Sequence, residues 1–330
     1  MWRYPRTMER ANKGLMNAWS GQRMKGDAYL NGTGGFVDDR EYFKSQAFGS
    51  AKTALLSAGV DHLEVLQANC TQAFVSLPRL IRGRELPWPF LAMARIVLES
   101  SARFCYVLDP DIRPEQRLMR MAAFMVWSTG EQTTMAKTSM HPDPEALAAM
   151  RARVDEHAQK IHDLVSDAGF GLDGDRVVDL TGNFKATSAK IGAVDLVRSE
   201  FPAYGEESYR RLSGFVHGAP WALGSALHKF AEKTYSPTVD AQTVVSVFNV
   251  TGASISTMMV RSCNYSGMEA GDVGVWLRVL ETVSKHELER LDAPGAAPRF
   301  VGPGRGWQGR FAPVIIRAWG RVPVASHREK

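Results

Sequence analysis

Along most of the chain, apolar residues return every three or four positions. In "SAKTALLSAGVDHLEVLQ" the residues Leu55, Leu56, Val60, Leu63 and Leu66 make one stripe, the signature of a helix with a single buried face. "LPWPF" (Leu86–Phe90) interrupts the pattern. It resumes through "LAMARIVLESSARFCYVLDP", with Met93, Val97, Phe104 and Leu108 on one side, and ends at Asp109–Pro110. A third helix is expected from Pro114 to Lys137, its proline sitting in the first turn, where a missing N–H costs nothing. A fourth opens at Asp143, a helix-capping residue followed by Pro144, and carries Leu147, Met150, Val154, Ile161, Leu164 and Val165 as its stripe. Further helices are expected at about 185–199, 203–218, 220–233, 238–264 and 270–291.

Strand signals are scarce. The Gly/Asp-rich "GFGLDGDRVVDLTGNF" has room for one short strand, and no repeat of 30–50 residues is visible. Residues 1–40 show no apolar stripe and contain the turn cluster "NGTGGFVDD" (Asn31–Asp39), so an irregular N-terminal segment is expected there. After Asp292 the chain becomes rich in Pro, Gly and Arg, which reads as a flexible tail. The expected architecture is therefore an all-α helical bundle over 41–292, flanked by the irregular segment 1–40 and the tail 293–330.

Composition changes this picture little. Of 330 residues, 45% are hydrophobic and 23% charged, ordinary globular values. The net charge of +5 is uneven: residues 1–50 hold eight basic and five acidic side chains, and residues 293–330 hold seven and one. The middle is slightly acidic, so the excess positive charge marks the ends and not a basic groove in the core. "FLAMARIVL" (Phe90–Leu98) is broken by Arg95 and falls short of the ~20 residues of a bilayer span. "MWRYPRTMERANKG" lacks the apolar run of a secretory signal. No membrane association and a cytoplasmic location are the expectations. Cys70, Cys105 and Cys263 stand alone within helical patterns, as buried reduced thiols do.

The chemistry concentrates in "YRRLSGFVHGAPWALGS" (Tyr209–Ser225). Arg210 and His217 are seven positions apart, about 700° at ~100° per residue, and return to nearly the same face; Arg211 lies about 120° away from His217. Ser213 precedes His217 by one turn, and Tyr209 precedes Ser213 by another. Gly218 and Pro220 then close the helix. An imidazole here suits proton transfer beside a cation; it equally suits a hydrogen bond to a carbonyl or to Ser213 that merely seals a helix junction. On the upstream helix, Arg95 and Glu99 are an i, i+4 pair on an otherwise apolar surface. They read as a structural ion pair between helices or as residues that orient His217 or Arg210.

The segment "YRRLSGFVHG" resembles the signature helix of HEPN-type proteins, in which an Arg is followed after four to six residues by His. The upstream "ARIVLESSARFCYVLDP" (Ala94–Pro110) is similar to an earlier core helix of a HEPN-like branch, where an Arg–Glu pair precedes a Tyr-x-x-Leu-Ser-x-x-x-His helix. Those positions are Arg95, Glu99, Tyr209, Leu212, Ser213 and His217, and the resemblance spans roughly residues 50–265. It implies a metal-independent endoribonuclease without cofactors, acting as a homodimer whose two Arg–His motifs face one cleft. His217 would transfer the proton, and Arg210 or Arg211 would stabilise charge on the phosphate. Nucleolytic members carry a polar residue directly after the Arg, a condition Arg210 meets and Arg211, followed by Leu212, does not. RNA as substrate, an antitoxin or other partner protein, and a role in toxin or defence systems follow from the same resemblance. Many HEPN-like domains lack activity and serve as interaction or ligand-sensing modules.

Other motifs lead elsewhere or nowhere. "DEHAQKIHD" (Asp155–Asp163) lacks the Glu-x-x-His spacing of a di-iron bundle and reads as a solvated helix face. No metal site and no phosphate-binding loop is expected; "GPGRGWQG" follows a linker and opens no helix. Arg305, Trp307, Arg310 and Phe311 interleave cations with aromatics, a composition that can stack on single-stranded nucleic acid, within what reads as the tail.

Overall fold

In the computed structural model of the chain, the described residues are 4–25, 34–82, 87–140, 142–174, 176–188, 190–219, 222, 227–231, 234–237, 241–268 and 271–292. Among them are ten helices: α1 (Tyr4–Lys25), α2 (Gly35–Lys44), α3 (Gly49–Arg82), α4 (Pro87–Val107), α5 (Pro114–Thr138), α6 (Pro144–Asp167), α7 (Ala193–Glu200), α8 (Gly205–Val216), α9 (Ala241–Ser266) and α10 (Gly271–Asp292). Five short strands complete the inventory: β1 (Phe170–Asp173), β2 (Arg176–Asp179), β3 (Thr187–Ser188), β4 (Leu227–Ala231) and β5 (Thr234–Pro237). The protein is all-α in class, as the apolar periodicity requires.

The chain forms two compact units that do not follow its linear division. Among the described residues, one is built from those within 4–25, 66–105 and 193–292, the other from those within 34–65 and 106–192; the chain passes between them within α3 and near the end of α4. In the first unit, α9 is the core helix. Val244, Val245, Phe248, Ile255, Met258, Met259 and Cys263 are all buried, and a helix that is apolar on every side belongs in an interior. Thr243–Ser266 is long and apolar enough to cross a bilayer by composition, yet 89% of its most apolar window is buried within the protein. Phe248 meets the ring edge of Tyr4 and the tilted ring of Phe90, both at 5.6 Å. α10 packs on both α1 and α9. A Cβ at Gly14 of α1 would overlap the Trp276 ring of α10, so that approach requires glycine.

In the second unit, α5 packs against α6, and the antiparallel sheet β1-β2-β3 lies against both helices. Asp143 caps α6, accepting from the N–H groups of Glu145 (2.9 Å) and Ala146 (3.3 Å), as its place before Pro144 predicts. The buried Arg117–Asp39 pair ties α5 to α2, with Nη1 at 2.8 and 2.6 Å from the two carboxylate oxygens.

Three expectations need correction. Residues 4–25 are a helix, not an irregular segment: Tyr4, Met8, Ala11, Asn12 and Leu15 form its buried stripe, thinly spaced apolar positions that a charged sequence obscures. α2 then begins at Gly35 and covers the end of the same stretch, residues 26–33 lying outside the described residues. Part of the stretch expected as helix at 220–233 is strand, because β4 pairs with β5 in antiparallel register from Leu227–Pro237 to Ala231–Thr234. Thr187–Ser188 likewise pairs with β2, so the helix expected from 185 begins at Ala193. The tail 293–330, with Arg305, Trp307, Arg310 and Phe311, lies outside the described residues.

Candidate active site

α8 starts immediately after α7 in a turn that only glycine fits. A Cβ at Gly205 would collide with the Val197 carbonyl oxygen. Phe201 and Tyr204 stack in that turn with ring centroids 5.4 Å apart, and the Tyr204 hydroxyl lies 3.3 Å from Ser254 Oγ of α9. The buried face of α8 is Gly205, Ser208, Tyr209, Leu212 and Phe215, the i, i+3, i+4, i+7 spacing of an amphipathic helix.

The end of α8 is closed by backbone geometry. His217 is the capping residue, its N–H donating to Ser213 O at 2.9 Å. Gly218 adopts a left-handed conformation, φ 66°. Its N–H donates to Phe215 O (3.2 Å), and that of Ala219 donates to Gly214 O (2.8 Å), the double bond of a Schellman motif. Since Gly218 and these amides close the helix, the imidazole of His217 is left out of the task. The residue is solvent-exposed.

The cation beside this ring comes from another helix. Arg95 Nη1 of α4 stands 3.3 Å from His217 Nε2. Arg95 Nη2 donates to the Tyr209 hydroxyl at 2.9 Å, and its guanidinium carbon is 5.2 Å from the centroid of that ring. The Tyr209 hydroxyl in turn donates to Glu99 Oε2 at 3.4 Å. Glu99 is 3.7 Å from Arg95 Nε but only 2.6 Å from Arg103 Nη1. Arg95 Nε is buried with no hydrogen-bond partner. A guanidinium only donates, so a hydrogen bond in this contact has Nε2 as its acceptor.

Arg95, Glu99, Tyr209 and His217 are thus brought together, while the two arginines of α8 are engaged elsewhere. Arg210, 59% exposed, bonds Glu206 at 2.9 Å, and Glu206 also receives Arg198 at 2.6 Å. These two cations hold the Glu206 carboxyl down to about 2. Arg211 lies 4.0 Å from Glu207 and lines a small apolar pocket with Leu91, Ser208, Leu212, Phe215 and Val247. Ser213 contributes its carbonyl. The residue missed from sequence is Arg103, although its spacing of four from Glu99 repeats that of Arg95.

No cluster of three His, Cys, Asp or Glu side chains is placed to hold a metal ion among the described residues. The face Asp155–Lys160 of α6 is largely exposed, with Lys160 on Glu156 at 2.7 Å. All three cysteines are buried and outside any disulfide; burial pushes the Cys70 thiol up to about 12 and that of Cys263 up to about 11, far from reactive values. No family model, curated protein or solved structure matches the chain.

Proposed function

We propose that the protein is a metal-independent endoribonuclease of HEPN type, with His217 as proton acceptor and Arg95, in place of Arg210 or Arg211, as the cation on the scissile phosphate. One observation carries the reading: an exposed imidazole stands with Nε2 3.3 Å from Nη1 of a guanidinium. In the reaction the ribose 2′-hydroxyl loses its proton to Nε2 as its oxygen attacks the adjacent phosphorus. The P–O5′ bond breaks, a 2′,3′-cyclic phosphate forms, and the departing 5′-oxygen takes a proton from water. Arg95 offsets the negative charge that grows on the phosphoryl oxygens. A homodimer joining two such sites, and control by an antitoxin or other partner protein in a cytoplasmic toxin or defence system, belong to the same proposal.

The test is incubation of the purified protein with total RNA in EDTA beside His217→Ala. Loss of the proton acceptor is expected to reduce cleavage by about 10²–10⁴, with the melting temperature nearly unchanged because the ring is exposed. Equal cleavage by both proteins removes the nuclease.

A second reading is favoured by the closure of the Arg95–Tyr209–Glu99 network. Those contacts also tie α4 to α8, as a catalytically silent interaction or ligand-sensing module would need. A fall of several degrees in the His217→Ala melting temperature, without any RNA cleavage by wild type, supports that module.

A further inference from the structure

Nε2 of His217 is the atom proposed to take the proton, and Arg95 Nη1 already stands 3.3 Å from it. In this position the proposed base cannot take a proton from a 2′-hydroxyl. We infer that Arg95 serves His217 and the substrate phosphate in turn, pivoting on the Tyr209 hydroxyl, so that an entering phosphodiester itself frees the imidazole. This inference rests on the nuclease reading above and deepens it.

Three features of the site favour the exchange. The Nη1–Nε2 separation of 3.3 Å is at the long edge of a hydrogen bond, so little is lost when it opens. Glu99, the carboxylate nearest to Arg95, stays 3.7 Å from it and is drawn to Arg103 at 2.6 Å; a phosphate oxygen would be a charged acceptor at full hydrogen-bond distance. The Nε–H without a partner becomes usable once the guanidinium turns. Meanwhile Nη2 has a fixed anchor. The Tyr209 hydroxyl holds it at 2.9 Å, and Tyr209 is only 6% exposed on the packed face of α8. The anchor confines the motion to Nη1, which faces the ring, and Nε, which lies 3.7 Å from Glu99. Tyr209 is accordingly a positioning residue, acting through Arg95.

The experiment uses the full chain labelled with ¹⁵N-histidine, the His217 ring signals being identified by their loss in His217→Gln. An oligonucleotide with 2′-O-methyl riboses, which lacks the nucleophile, is titrated in EDTA at constant chloride. The Nε2 resonance is expected to move toward the position of an unbonded ring nitrogen as the probe saturates the site. In Tyr209→Phe it is expected to lie part of the way there before any probe is added. A probe that fails to bind, or binds with Nε2 unmoved, overturns the exchange; an unmoved resonance in free Tyr209→Phe overturns the pivot. Cleavage of ordinary RNA separates the two proposals. Cleavage with Nε2 unmoved retains the nuclease and removes the exchange, whereas a moved Nε2 without cleavage does the reverse.

Discussion

Arg117 and Arg95 are both partly buried arginines with a carboxylate nearby, and they differ in what that carboxylate does. Arg117, with 9% of its side chain exposed, puts Nη1 on both oxygens of Asp39, and its Nη2 donates to the carbonyls of Asp109 and Ile112, each at 3.2 Å. Arg95, 21% exposed, shares Glu99 with Arg103 and stands 3.7 Å from it. A buried cation whose Nη donors end on protein oxygens holds a structure together, and removing its partner strands a charge. A cation left at long range from its carboxylate, beside an exposed imidazole, retains donors for something else.

The largest expected effect breaks the structural member of this comparison. Asp39→Ala should cost about 3–5 kcal/mol by leaving the Arg117 charge unpaired, measured by chemical denaturation, while RNA cleavage per folded molecule stays unchanged. Arg95→Gln should show the opposite profile: about 10²–10³ lower cleavage with a stability change of about 1 kcal/mol or less. Similar losses of stability from both substitutions would erase the distinction. A smaller effect is expected from Arg210→Gln, within about threefold in cleavage, because that side chain is an exposed partner of Glu206. A larger loss would return the phosphate role to α8.

The smallest effect is one of pH. Arg198 and then Arg210 hold the Glu206 carboxyl down to about 2, below the ordinary value of about 4.3. Its contribution is complete above the unfolded value and disappears as pH falls toward 2, because the unfolded chain takes up the proton first. Glu206→Gln should therefore flatten the acid limb of the stability curve over that interval. An unchanged limb would mean that the exposed pairs contribute nothing measurable.

Helical class was legible because the stripes of α3, α4 and α6 repeat over several turns, and local periodicity accumulates with length. The cap at Asp143 and the stop at Gly218 were legible for a related reason: each depends on a few adjacent residues. α1 was obscured because its apolar stripe is narrow and interleaved with charge. β4 and β5 stabilise one another through hydrogen bonds between two segments, and neither carries enough pattern to reveal the other. At the site, helical geometry brought Arg210 and His217 to one face, and both are exposed. It could not show that Arg210 turns back to Glu206.

The amino-acid order alone settled the properties that act over a turn or two of chain: that the long striped segments coil, where several of them stop, and that His217 sits where a helix ends. Tertiary structure decided which cation meets that imidazole. Arg95 and His217 are 122 positions apart, and a contact at such separation is set by how α4 and α8 pack, which no local period encodes. The same packing gave Glu99 to Arg103 and Tyr209 to Arg95, dividing the charges of one helix between holding it in place and facing solvent.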